Sequence, residues 1–299
     1  MGDSFTFGYA VGDHQTYPAH AEQLRPDTEW INLGISGTCL TQSLLQYRKS
    51  GRKLGGKHVV IGFMTNDAQR TVNCFRPFVS PLDAGHPFTK PFARFSGGKF
   101  SIEPNPYQNI ADFDRLLSNE APELVRLRDM DYLTWSHQSA STHPILRTAS
   151  YVYESLRLGR NLDMLLAQPT SKKKSAKKPV AVDPYGRDIW SPASPGFQAI
   201  VQLVDLYFQE VAVDGREPLF VIIPGPMDVE DHTKRAPRQY SPLLAHLQKK
   251  GHRHLDFLDP LISRHQSDLS RDALFVQFHY NDQVNRELAE EIIKALGLP

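Results

Sequence analysis

The clearest strand signal in the chain is the run His58-Val59-Val60-Ile61-Gly62-Phe63. After its first residue the run is apolar and rich in β-branched side chains, which is typical of a strand buried on both faces of a sheet. The turn residues Thr65-Asn66-Asp67 follow, so we expect the strand to end there. A second run of this kind, Leu219-Phe220-Val221-Ile222-Ile223, is stopped by Pro224. Two such runs predict a sheet with parallel strands.

Helical patterns alternate with these strands over most of the chain. The strongest, Pro195–Val213, has apolar residues at the i, i+3, i+4 and i+7 spacing of an amphipathic helix. Further helices are predicted at Thr16–Leu24, Thr38–Arg48, Ile110–Leu117, Ile145–Leu166, Ser241–Lys250 and about Asp282–Leu296, and short strands at Trp30–Leu33 and His254–Leu258. The alternation predicts an α/β sandwich with a mostly parallel sheet, whose functional loops lie at the carboxyl ends of the strands.

Length and composition fit one globular domain. The chain has 299 residues, of which 40% are hydrophobic and 22% charged. A region at about residues 75–193 interrupts the alternation, and its first part, Phe75–Pro106, is predicted to be a long loop or irregular cap. The net charge of +1 creates no field that would attract nucleic acid. The basic run Ser171–Lys178 is interpreted as a solvated loop, and no nucleic-acid partner is expected.

The cysteine content and the distribution of apolar residues bear on compartment and membrane association. Cys39 and Cys74 are too few for a disulfide framework, although one bridge between them is conceivable. No run of about 18 apolar residues occurs, so no membrane span is predicted. The missing signal segment predicts a cytoplasmic protein. A buried strand is nevertheless expected just ahead of Gly2-Asp3-Ser4, and its absence indicates a truncated first strand, which leaves the compartment open.

Four short segments carry the chemistry. Gly2-Asp3-Ser4 places a serine in a turn that can expose its hydroxyl and aim its own N–H at an oxyanion, although alone it is better explained as a helix cap. Three more segments each follow a predicted strand or open a predicted helix. They are Asn32-Leu33-Gly34-Ile35-Ser36-Gly37, Gly62-Phe63-Met64-Thr65-Asn66-Asp67 and His279-Tyr280-Asn281.

In their order and spacing, these segments resemble the four conserved blocks of the SGNH (GDSL-like) hydrolase superfamily of serine esterases. The resemblance frames the chain from Gly2 to about Ile293 and implies a flavodoxin-like three-layer α/β/α fold. It also implies Ser4 as nucleophile and His279 as base, with an oxyanion hole made by the Ser4 N–H, the Gly37 N–H and the Asn66 amide. A glycine permits close approach to a substrate, and an asparagine supplies a neutral donor.

One position departs from that family. An acid normally lies three residues before the histidine, where this chain has Val276. An acid there would hold the imidazole tautomer and stabilise the imidazolium. Asp272 and Asp282 are the candidate replacements, and a backbone carbonyl could also serve in a Ser–His dyad.

The residues therefore predict a serine esterase that needs no cofactor and no metal and acts on a small-molecule, lipid or glycan ester. An O-acyltransferase would use the same residues. A non-catalytic carbohydrate- or lipid-binding relative is a third reading, prompted by Val276 and the missing first strand. His252, His254 and Asp256 could share one strand face and bind a metal, but a solvated sheet edge is favoured. The aromatic-rich segment Phe75–Tyr107 predicts either a pocket wall or a packed cap.

Overall fold

The structure is a computed structural model that describes residues 1–76, 89–118, 120–132 and 187–298. Its strands are β1 (His58–Met64), β2 (Phe92–Ser96), β3 (Lys99–Glu103), β4 (Glu217–Ile223), β5 (His254–Asp256), β6 (Phe275–Val276) and β7 (His279–Tyr280). Its α-helices are α1 (Ser4–Phe7), α2 (Tyr17–Leu24), α3 (Leu40–Lys49), α4 (Asp67–Val72), α5 (Ile110–Ser118), α6 (Glu120–Met130), α7 (Pro195–Val213), α8 (Pro226–Thr233), α9 (Ser241–Lys250), α10 (Leu258–Arg264), α11 (Arg271–Leu274) and α12 (Asp282–Leu296).

A parallel sheet of order β1-β4-β5 forms the centre of the described residues. The five residues from Leu219 to Ile223 are fully buried, which explains their unbroken apolar pattern. Helix α7 covers part of this sheet with the buried residues Ile200, Leu203, Val204, Tyr207 and Val211. Helix α12 packs against α2 and buries Val284, Leu288 and Ile292. The predicted α/β class with a mostly parallel sheet is confirmed.

The long helices begin and end where their patterns predict, and α7, α9 and α12 have the predicted bounds. Thr16 lies just outside α2, where its hydroxyl accepts a hydrogen bond from Ala19 N–H at 3.3 Å and caps the helix. The helix expected at Ile145–Leu166 and the basic run Ser171–Lys178 lie outside the described residues.

The loop predicted for Phe75–Pro106 is wrong over residues 92–103, where β2 and β3 form an antiparallel hairpin. Gly97 and Gly98 form its two-residue turn, and both have positive φ values, 57° and 76°. This is the geometry that tight hairpins prefer, so the adjacent glycines were the sequence signal that had been overlooked. Phe92 is buried in a small cluster with Cys74, Phe75, Tyr107 and Leu127. These aromatic residues of the segment therefore pack as part of a core.

Met1 and Gly2 occupy the position predicted for the first strand. Met1 N donates a hydrogen bond to Val60 O, and Gly62 N donates to Met1 O, both at 2.9 Å, so Met1 lies beside β1. Gly2 forms a parallel bridge with Gly34 on its other side. The strand predicted at Trp30–Leu33 is wrong, because residues 30–33 form no strand, the bridge lies at Gly34, and the Asn32 side chain binds Thr6 O instead.

The structure bears on the possible disulfide bond and on membrane-spanning helices. Cys39 and Cys74 are buried free thiols, so no bridge joins them. Among the helices of the described residues, none combines the length and apolar character that a membrane crossing requires.

Candidate active site

Ser4 begins the short helix α1. It comes two residues after Gly2, which pairs with Gly34. The Asp3 carboxylate accepts a hydrogen bond from Phe5 N–H at 2.9 Å and caps the helix. Gly8 ends it in the left-handed conformation and donates its N–H to Ser4 O. The turn that carries the serine is therefore held at both ends by local hydrogen bonds.

Three glycines allow this turn to lie directly against neighbouring backbone. A Cβ atom on Gly34 would lie 2.3 Å from the backbone N of Phe7, and one on Gly62 would lie 2.7 Å from the Thr6 hydroxyl oxygen. A Cβ atom on Gly2 would lie 2.0 Å from that same oxygen. Asn32 adds a clamp, because its amide donates to Thr6 O at 2.8 Å and its side-chain oxygen accepts Gly34 N–H. Gly2, Gly34 and Gly62 thus leave the space that α1 occupies.

The structure brings Ser4 and His279 together from opposite ends of the chain. The distance between Ser4 Oγ and His279 Nε2 is 2.8 Å, which is hydrogen-bonding distance. The imidazole packs against Phe5 and Tyr9, with ring centroids 4.9 Å and 5.2 Å away. Ser4 itself is only 6% exposed. The serine is therefore sheltered from bulk water while one face of the site stays open at the half-buried histidine.

The other imidazole nitrogen faces a backbone carbonyl. His279 Nδ1 lies 2.9 Å from Gln277 O. Because a carbonyl can only accept, Nδ1 carries the proton, and Nε2 presents its lone pair to the Ser4 hydroxyl. This tautomer is the one that a general base requires.

The hairpin β6–β7 creates that contact. Gln277 and Phe278 form its two-residue turn, and both have positive φ values, 47° and 70°. Such φ values are costly for residues other than glycine, about 1–2 kcal/mol each. Arg271 lies 3.6 Å over the Phe278 ring and is positioned to offset part of this cost. A strained turn therefore holds the carbonyl that orients His279.

The two candidate acids are placed elsewhere. Asp282 Oδ1 is 2.8 Å from His20 Nε2 and joins α12 to α2. Asp272 is exposed in the first turn of α11. Val276 pairs with His279 across the β6–β7 ladder, so the position where the family has its acid is an apolar neighbour of the imidazole. The partner that the structure gives to His279 Nδ1 is the Gln277 carbonyl, the third alternative left open by the sequence.

Replacing Asp282 with asparagine is expected to change kcat/KM for an ester substrate by less than about tenfold, whereas loss of a true orienting acid costs about 10⁴-fold. The reason is that Asp282 contacts His20 instead of His279. Steady-state kinetics with p-nitrophenyl acetate would measure this, with Asp272→Asn as the matched variant. A loss approaching 10⁴-fold in either variant would assign the orienting role to that aspartate.

Gly37 and Asn66, the predicted oxyanion donors, lie in loops anchored beside the serine turn. Gly37 has a φ of 78°, which favours glycine. Its loop is tied to Gly2, because Ile35 N–H and the Thr38 hydroxyl both donate to Gly2 O, at 3.1 Å and 3.3 Å. Asn66 follows β1 at the N-terminus of α4, and its exposed side chain makes no capping hydrogen bond. The Asn66 side chain is thus open to a bound substrate, and Gly37 is partly exposed.

A buried carboxyl pair, Asp3 and Asp67, adjoins the serine turn and the Asn66 loop and was not predicted from the sequence. Asp3 and Asp67 are 0% and 2% exposed, and burial raises the pKa of both. The negative charge of Asp3 raises the pKa of Asp67 further, while Arg70 Nη1 contacts Asp67 Oδ1 at 3.0 Å. The aspartates of the Gly2-Asp3-Ser4 and Asn66-Asp67 segments are therefore close enough to influence each other's protonation. Their adjacency to the predicted serine and asparagine was the available signal.

A third carboxyl, that of Asp228, supports the Asn66 loop. Asp228 Oδ2 accepts hydrogen bonds from the Thr65 hydroxyl at 2.6 Å and from Gly225 N–H at 2.7 Å. Burial raises the pKa of Asp228 from 3.8 to about 6. Between these two values the folded protein binds a proton that the unfolded chain has released, so this group lowers stability as pH rises through that window.

At about pH 8, Asp228→Asn should therefore have a higher free energy of unfolding than the parent, by at most about 3 kcal/mol. The reason is that the neutral amide keeps an acceptor oxygen and cannot ionise. The difference should vanish near pH 4, where Asp228 is protonated in both states. Urea unfolding across this range would measure it. A stability difference that did not depend on pH would contradict the assignment.

Neither a family of known proteins nor a curated protein sequence matches the chain. Its class therefore has to be argued from its fold and its site.

Proposed function

We propose that this chain is a serine hydrolase of the SGNH (GDSL-like) type that cleaves carboxylic esters. The observation that carries the proposal is the 2.8 Å contact between Ser4 Oγ and His279 Nε2, with Nδ1 held by the Gln277 carbonyl. A hydroxyl hydrogen-bonded to a neutral, oriented imidazole is the arrangement that activates a serine for nucleophilic attack. The parallel sheet is consistent with the flavodoxin-like α/β/α sandwich proposed for the class.

In the proposed reaction, Ser4 Oγ attacks the ester carbonyl carbon while its proton passes to His279 Nε2. The carbonyl oxygen becomes an anion that accepts hydrogen bonds from the Ser4 and Gly37 N–H groups and the Asn66 amide. The imidazolium then gives its proton to the departing alcohol as the C–O bond breaks, leaving Ser4 acylated. A water molecule, deprotonated by His279, releases the carboxylic acid and restores the serine. Apart from this water and the ester, every group in the reaction belongs to the chain.

The Gln277 carbonyl stabilises the protonated form of His279 that arises during this reaction. When Nε2 gains a proton, the imidazolium keeps its Nδ1–H bond to the carbonyl oxygen 2.9 Å away. A carbonyl dipole stabilises that positive charge less than a carboxylate would, because it bears only a partial charge. We therefore expect a functional Ser–His dyad with a lower rate than a complete triad.

A fluorophosphonate probe, which reacts with activated serines, tests the proposal directly. The full-length protein should be labelled, Ser4→Ala should not, and Ser191→Ala, which removes an exposed serine elsewhere, should be labelled like the parent. Circular dichroism would verify that each protein is folded. If the folded parent protein resisted labelling, the serine-hydrolase proposal would be wrong.

Turnover by the unlabelled parent protein would separate hydrolysis from acyl transfer. Released carboxylic acid from p-nitrophenyl acetate is expected to match released p-nitrophenol when water is the acceptor. A shortfall of free acid that appears only when a sugar alcohol is added would instead assign the chain to the acyltransferases.

A further inference from the structure

Two histidines and one aspartate converge far from the candidate active site. Asp205 lies on α7, His246 lies on α9, and His252 follows the end of α9. His246 Nε2 and His252 Nε2 are each 2.8 Å from Asp205 Oδ1. The ligand atoms of all three residues lie within 4.8 Å of one another. The three side chains therefore direct their donor atoms at one point.

The cluster is at the opposite end of the parallel sheet from Ser4. His252 precedes the first residue of β5, whereas Asn66 follows the last residues of β1, and these strands run in the same direction. Nothing in the proposed ester hydrolysis uses these residues. They accordingly need an explanation of their own.

Local structure fixes the two histidines relative to the aspartate. The His252 ring stacks on Phe208, with centroids 3.9 Å apart and an angle of 20° between the planes. Phe208 and Asp205 are three residues apart on α7, so they share a helix face. Gly251 reverses the chain in the left-handed conformation, and His252 N–H then bonds Leu247 O at 2.9 Å, which brings His252 back beside His246.

Burial of the three side chains is intermediate. Their exposed fractions are 16% for His246, 21% for Asp205 and 16% for His252. This is sheltered enough to hold the rings in place and open enough for an ion to enter from solvent. The sequence had suggested His254 and Asp256 as metal ligands beside His252. In the structure, His254 Nδ1 faces His252 O, and Asp256 forms an ion pair with Arg238.

Two imidazole nitrogens and one carboxylate oxygen form a donor set that Zn²⁺ prefers, with a fourth tetrahedral position left for water. Zinc bonds of about 2.0–2.1 Å separate neighbouring ligand atoms by about 3.3 Å, so the 2.8 Å contacts need to open by about half an ångström. Lys250 Nζ lies 3.1 Å from Asp205 Oδ2 and occupies the second carboxylate oxygen. The first oxygen therefore remains the one available to a metal.

We propose that Asp205, His246 and His252 bind one divalent transition-metal ion of the zinc class and thereby clamp α7 to the end of α9. Binding joins a helix to a segment 41 residues and more further along the chain, so the ion would stabilise the folded state by mass action. The proposed metal site is independent of the proposed esterase activity.

Titration of the EDTA-treated full-length protein with Co²⁺ and then Zn²⁺ tests the site. We expect one equivalent of Co²⁺ to produce the visible absorption of tetrahedral cobalt, Zn²⁺ to displace it, and Zn²⁺ to raise the unfolding temperature. Because loss of outer-shell partners alone weakens metal sites by about 10–100-fold, Asp205→Asn and His246→Ala should each weaken binding at least that much.

Two variants sharpen the result. Lys250→Ala removes the competing ammonium and should bind Zn²⁺ at least as tightly as the parent, and His254→Ala removes a neighbouring histidine outside the cluster and should bind like the parent. Absence of saturable one-equivalent binding, or equal binding by the parent, Asp205→Asn and His246→Ala, would overturn the proposal and leave the cluster a hydrogen-bonded ion-pair triad.

Discussion

Replacing His279 with alanine is expected to lower kcat/KM for p-nitrophenyl acetate by about 10⁴-fold or more, because removal of a catalytic base leaves only the contribution of the oxyanion hole and binding. Nε2 is the only basic atom within hydrogen-bonding distance of Ser4 Oγ among the contacts of the described residues. Free imidazole added to this variant should restore part of the rate, since it can enter the space that the ring vacates.

The control for this experiment is His232→Ala, which removes an exposed histidine at the end of α8 and should retain the parent rate. Unfolding temperature should be measured beside activity, since His279 also packs against Phe5 and Tyr9. A His279→Ala protein that kept most of its activity while folded would refute the proposed base.

Replacing Asn66 with alanine should lower kcat and kcat/KM together, by about 10²–10³-fold, which is the usual effect of losing one oxyanion donor. An interaction made only in the transition state affects both constants equally and leaves KM almost unchanged. The stability of the fold should hardly change, because the exposed Asn66 side chain does not cap α4.

Asn66→Asp is the matched variant for this prediction. It keeps the shape of the side chain, replaces the donating NH₂ group with an oxygen and places a negative charge near the developing oxyanion. Its loss of kcat should be at least as large as that of Asn66→Ala. If both variants retained near-parent rates, Asn66 would not be an oxyanion donor, although Ser4 could still be the nucleophile.

Much of the fold was readable from sequence because its signals are local. Apolar runs or helical periodicity within a short window predict five of its elements: the buried strands β1 and β4 and the helices α7, α9 and α12. The hairpin β2–β3 was also locally encoded, in Gly97-Gly98, and was overlooked because the surrounding prolines and aromatics favoured a loop. The first strand could not be read in this way, because Met1 and Gly2 acquire their strand-like role only from β1 and Gly34.

The candidate site also has a part that the sequence predicts and a part that only the tertiary structure determines. The order of its four segments, through its resemblance to the blocks of the SGNH superfamily, predicted Ser4 and His279 as a pair, and the structure places Ser4 Oγ 2.8 Å from His279 Nε2. What orients His279 was decided only by tertiary structure. Asp282 is the nearest acid in sequence, yet the packing of α12 on α2 commits it to His20, 262 residues away. The strained β6–β7 turn then places the Gln277 carbonyl at His279 Nδ1, a contact for which no side chain gives a sequence signal.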